Sequence, residues 1–88
     1  MANKPTYGEL LAELTSLAHE LEPWYRVDKV KWYMVCVWTK DDPGDNVFDI
    51  LSDGINWYDD THLPPSEAFP VIGKIQEKMK ELDKWFGQ

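Results

Sequence analysis

Apolar residues recur along the chain with two different periods, and the change of period marks out the elements. From Tyr7 to Leu21 they come every three or four positions, at Tyr7, Leu10, Leu11, Leu14, Leu17, Ala18 and Leu21. That spacing gathers them on one stripe of a helix, with Glu9, Glu13, Ser16, His19 and Glu20 on the other side. Thr6 and Glu9 have the capping-box spacing, and Glu22-Pro23 ends the run because a residue before proline is driven out of helical backbone. The pattern predicts a helix over about residues 6–22.

Residues 29–40 (KVKWYMVCVWTK) lack Gly and Pro and are dense in β-branched and aromatic side chains, which predicts one long strand. In such a strand Val30, Trp32, Met34, Cys36 and Trp38 share one face, and Tyr33, Val35 and Val37 share the other. Neither face is polar, so the strand is expected to be central and covered on both sides over much of its length. Asp41-Asp42-Pro43-Gly44-Asp45 reads as a turn, proline presetting φ and glycine accepting a positive φ after it. A second strand is predicted over residues 46–52 and a third over 55–59, joined by Asp53-Gly54 as a two-residue hairpin loop. That loop sets Ile50 opposite Trp57, with Phe48 and Ser52 on their face. Val47, Asp49, Leu51, Asn56 and Tyr58 fall on the other, with Asp49 beside Tyr58.

Helical spacing returns with Phe69, Ile72, Ile75, Met79, Leu82 and Phe86. The rigid Leu63-Pro64-Pro65 segment leads to Ser66 as candidate N-cap, and Pro70 is tolerated near a helix start because no N–H is needed there. Lys74, Lys78, Lys80 and Lys84 interleave with Glu77, Glu81 and Asp83, partly at ion-pair spacing, over a predicted helix at 66–86. The predicted fold is α+β: helix, three-stranded antiparallel meander, helix, in two layers within a single domain spanning 1–88. Two helices on one side of three strands leave apolar residues of the first strand bare on the other. Trp32, Met34 and Trp38 are therefore candidate residues for a homodimer interface.

Composition narrows the class. A chain of 88 residues, 43% apolar and 14% aromatic, has enough to bury for a small core and is not a disordered tail. No apolar run approaches the ~20 residues needed to cross a bilayer, so no membrane role is expected. One cysteine precludes an internal disulfide framework, which suits a reducing, cytoplasmic setting (the host cytoplasm, if the chain is phage-encoded). The first residues, MANKP, show no apolar signal-peptide core.

Charge adds a located feature. The net charge is −7, but residues 1–25 sum to −3, 26–40 to +3, 41–67 to −8 without one base, and 68–88 to +1. Direct binding to nucleic acid through phosphate neutralisation is not expected of such a chain. The acidic segment instead suggests a docking face of Asp41, Asp42, Asp45, Asp49, Asp53, Asp59 and Asp60, with Trp57 and Tyr58 as aromatic anchors. Five tryptophans are more than a core this small easily encloses, which adds to that reading.

Candidate chemistry is sparse. Cys36 lies among valines as a small buried hydrophobe, His19 is on the polar side of its helix, and Asp59-Asp60-x-His62 lacks a further ligand for a metal. Residues 41–46 resemble a calcium loop in composition only. No catalytic residue, metal or cofactor is expected. The expected function is a small non-enzymatic binding module, an inhibitor of immunity or phage anti-defence type. Its acidic, aromatic face would imitate nucleic acid and occupy a basic surface of a nuclease or other nucleic-acid-handling protein. The alternatives are a structural or accessory homodimer and a small metal-dependent enzyme.

Overall fold

In the computed structural model, which describes residues 5–87, α1 (Tyr7–His19) leads into four strands and a closing helix. The strands are β1 (Arg26–Lys31), β2 (Met34–Trp38), β3 (Asn46–Leu51) and β4 (Gly54–Trp57), and the helix is α2 (Ala68–Phe86). The reading of the first residues as free of a signal segment falls mostly outside the described residues. The sheet runs β1-β2-β3-β4 with every neighbouring pair antiparallel, a meander of four strands rather than the three predicted.

The extra strand arises where one long strand was expected. Residues 32 and 33 turn the chain, and Lys31 pairs with Met34. The turn carries no Gly, Pro, Asn or Asp, and no described residue has positive φ, so nothing in the local sequence announces it. Its consequence is a change of parity. Val30 and Met34 would share a face in a continuous strand; after a two-residue turn it is Val30 and Val35 that pair. Val30 is thereby set on the same face as Val35 and Val37, while Met34, Cys36 and Trp38 fall on the other with Lys29 and Lys31.

Pairing registers resolve the sheet into rows running from β1 to β4. Two rows face the helices and are apolar throughout: Val30–Val35–Ile50–Ile55 and Val27–Val37–Phe48–Trp57. Three rows face away: Lys29–Cys36–Asp49–Asn56, Arg26–Trp38–Asn46, and, one position beyond the β2–β3 pairing, Lys31–Met34 on one side with Leu51–Gly54 on the other. Irregularities between Val27 and Lys29, and again between Val37 and Trp38, keep the rows in step. The third strand joins the fourth through Ser52-Asp53, one residue earlier than predicted, so Ile50 pairs with Ile55 and not with Trp57. A shift of two in partner leaves the faces unchanged.

Both helices lie on the apolar side. Leu10, Leu14 and Ala18 of α1, with Leu21 beyond it, join Ile72, Ile75, Met79 and Leu82 of α2 and the valines, Phe48 and Ile50 of the sheet in one buried cluster. Thr6 caps α1, its hydroxyl oxygen accepting from the Glu9 amide at 3.1 Å. Ser66 does not cap α2; the helix starts later, after Glu67, whose side chain makes no capping bond. Pro70 sits at the third helical position, where no N–H is required. Lys78 ties the two helices, donating to Glu13 at 2.8 Å, and its pKa is raised mainly by that bond.

Two ends of the predicted α2 stripe lie off the core. Phe69 and Phe86 are exposed, Phe86 within an aromatic group with Tyr7, Trp32 and Trp85. Trp32 is therefore a turn residue packed 4.8 Å from Phe86, and it does not share the open sheet face with Met34 and Trp38.

Candidate functional site

The meander decides where the acidic residues meet. β3 begins beside the end of β2, and β4 ends beside the start of β3, so the segments 39–45 and 58–62 leave from the same end of the sheet. The amides of Tyr58 and Asp59 both donate to the Val47 carbonyl, at 2.9 and 3.1 Å, and hold the second segment there. Asp41, Asp42 and Asp45 are thus brought to the same end as Asp59 and Asp60. Asp53 lies at the opposite end, in the β3–β4 turn.

The first acidic loop is closed by Thr39, whose amide donates to the Asp45 carbonyl at 2.9 Å while its hydroxyl oxygen accepts from the Asp45 amide at 3.0 Å. Gly44 serves here through its size. A Cβ would stand 2.9 Å from the carbonyls of Thr39 and Asp41 and from the Arg26 guanidinium, and no glycine φ is positive. The peptide between Asp42 and Pro43 is cis. The carboxylates of Asp41, Asp42 and Asp45 are left facing water.

In the second loop Asp59 is internally bonded. It accepts from the Thr61 amide at 2.8 Å and hydroxyl at 2.6 Å, and its other oxygen lies 2.7 Å from His62 Nδ1. The two bonds from Thr61, then that from His62, lower its pKa to about 2. Tyr25 anchors the loop by donating to the His62 carbonyl at 2.6 Å. Next to it a shallow groove is lined by Pro23, Trp24, Tyr25, His62, Leu63 and Pro65.

Aromatic and aliphatic side chains accompany these carboxylates. Trp57, Tyr58, Leu63 and Phe69 are 41%, 55%, 63% and 50% exposed, and all belong to the stretch entering α2 from this end. The sequence pattern marked Trp57 and Tyr58 but placed Phe69 in the helix core and Leu63 in a linker. A leucine before two prolines was the available signal at Leu63, which no regular helix can draw inward; Phe69 lies in the first turn of α2 and carries no comparable signal.

Asp49 belongs to a different environment. It is only 5% exposed in the middle of the face turned away from the helices. Tyr58 donates its hydroxyl to it at 2.8 Å, and Asn46 Nδ2 lies 3.3 Å away, while Asn56 donates to the Tyr58 oxygen at 2.8 Å. The predicted neighbourhood of Asp49 and Tyr58 is present although the backbone pairs Asp49 with Asn56. Cys36, opposite Asp49 on β2, has its thiol pushed up to about 11, first by burial and then by its bond to Asp49. Arg26 lies over the Trp38 ring, 5.7 Å from its centroid.

Among the described residues no group of three or more His, Cys, Asp and Glu side chains is placed to hold a metal ion; Asp59 and His62 form a pair. No described helix is long and apolar enough to cross a membrane. No family model matches the chain, and comparisons with curated proteins and with solved structures find no match either.

Proposed function

We propose that this protein is a non-enzymatic binding module that docks the loop end of its sheet on a basic protein surface, as an inhibitor would. The observation that carries the reading is the convergence of Asp41, Asp42, Asp45, Asp59 and Asp60 with four exposed apolar side chains at one end of the fold. Carboxylates give complementary potential and fast encounter, while large apolar residues supply the desolvated contacts that slow release. A partner that handles nucleic acid fits best, because its working surface is basic and accepts spaced negative charge. An immunity-type or anti-defence inhibitor is the corresponding role.

The experiment is affinity capture from the native host with the wild-type chain and with a variant carrying Asp41→Lys, Asp42→Lys, Asp45→Lys and Asp60→Lys. Asp59 is left intact because its bonds to Thr61 shape the loop. The captured basic protein, once identified and purified, should bind the variant roughly a hundredfold more weakly than wild type. Wild-type binding should weaken between about 50 and about 500 mM salt, as interactions between exposed charges do. Equal affinity of the two chains for that protein would refute the reading.

A further inference from the structure

The sheet is covered by helices on one side, and the three rows on its other side grade from basic to acidic. Along β1 the row ends are Arg26, Lys29 and Lys31, all exposed, with exposed Asp28 at the break in register beside Lys29. The middle is Met34, Cys36 and Trp38 on β2 against Leu51 and Asp49 on β3. The far side is Asn56 on β4, flanked by Asp53 in the preceding turn and Asp59 in the following loop. With the Asp49 carboxylate closed over by Tyr58 and Asn46 in the middle and Asp28 offsetting one of the bases of β1, the face still runs from net basic along one edge to acidic turns along the other, and so is complementary to itself.

We infer that this face pairs with a second copy of the chain, about a two-fold axis that runs parallel to the strands between β2 and β3. That operation keeps the ends of the sheet in place and exchanges its edges. Lys31 of one copy comes over the Asp53 turn of the other, and Lys29 comes over Asn56. Met34 meets Leu51 twice, once from each copy. A two-fold contact of this kind satisfies both halves with one set of residues, and sheets stack face to face with such interdigitation. An axis across the strands would lay β1 over β1 and put like charges together. Edge-to-edge pairing is poorly served, since β1 bears a break in register and three basic side chains, and β4 has four residues.

Size sets the strength. Four strands about 4.8 Å apart and five rows about 3.4 Å apart give a face of roughly 300 Å² in plan, or about 600 Å² for both copies, below the range of stable specific interfaces and in that of weak contacts. Two chains of −7 also repel at long range. The dimer is therefore a weak one, formed at tens to hundreds of micromolar, and it leaves Asp41, Asp42, Asp45 and Asp60 outside the contact. It shares Tyr58, whose hydroxyl bonds Asp49 on this face, with the docking end proposed above, but the two tests alter different charges, so each proposal can fail alone.

The test is sedimentation velocity and light scattering on the whole chain from about 10 to about 500 µM, the range where so small an interface should populate. Two charge variants accompany wild type: Lys29→Glu with Lys31→Glu, and Asp53→Lys with Asn56→Lys. Wild type should dimerise, each variant alone should remain monomeric, and an equimolar mixture of the two should recover a dimer, because both contacts then join opposite charges. Circular dichroism checks that each variant folds; where one does not, Met34→Glu must abolish the dimer by itself. A wild type that stays monomeric at the highest concentration overturns the inference. So do charge variants that dimerise like wild type, or a mixture that stays monomeric.

Discussion

Cys36 and Asp49 face each other across β2 and β3 on the side of the sheet that no helix covers, yet both are nearly shut off from water. The thiol reacts as thiolate, and with its pKa pushed up from 9.0 to about 11 the thiolate is scarce at neutral and mildly basic pH. Its reaction with a disulfide reagent at pH near 8 should run roughly a hundredfold slower in the native protein than in denaturant. The sign follows from the direction of the shift: reactivity rises as pH climbs toward the raised value and is least below the ordinary one. A thiol that reacts at the same rate folded and unfolded would show that the burial which chiefly raises its pKa does not persist. Asp49 itself was read from the sequence as an outward acid of the docking face. Its spacing to Tyr58 was legible, but the Asn46 and Tyr58 groups that close over it come from a loop and a strand end whose positions no local pattern specifies.

Among the elements, the two connections that matter most differ in how they declare themselves. The β2–β3 connection is full of turn residues and was legible as a turn, although its glycine is needed for space rather than for positive φ. Gly44→Ala forces a Cβ against two backbone carbonyls that cannot swing away as a side chain would. The substitution should lower stability by about 1–3 kcal/mol, the range for overpacking a tight site, measured as a lower urea midpoint at unchanged slope. No loss of stability would mean the loop relaxes freely. The β1–β2 connection, Trp32-Tyr33, looks like mid-strand sequence and turns all the same. Trp32 gains by leaving the sheet, where its ring packs on Tyr33 and Phe86 and closes the end between the helices.

At the scale of the molecule, one buried cluster takes residues from both helices and from the strands, with Phe48 fully buried between Tyr25 and Trp57 at ring distances of 5.4 and 5.0 Å. A shared core of this kind should melt as a unit. Helix signal by circular dichroism and tryptophan fluorescence should give coincident transitions. Phe48→Ala should cost about 3–5 kcal/mol, since a large buried ring is lost and the cavity collapses only in part. Against a total of about 5–15 kcal/mol that leaves a marginal protein. Separate transitions for helix and sheet would contradict the common core. The same scale governs the charge: the sequence already concentrates −8 in residues 41–67, and folding divides that segment, bringing Asp41, Asp42, Asp45, Asp59 and Asp60 to one end of the sheet and leaving Asp53 at the other.

The chain alone determined the two helices, the antiparallel meander, the α+β class and the acidic stretch, because each rests on period, turn chemistry or composition within a few residues. Only the tertiary structure decided that the meander has a fourth strand, which rows lie under the helices, and which carboxylates stand together. Those outcomes depend on the turn at Trp32-Tyr33, which reverses the parity of every later side chain without any residue of special backbone preference. They depend also on the helices choosing the face whose rows are wholly apolar, a comparison that exists only once the strands are paired.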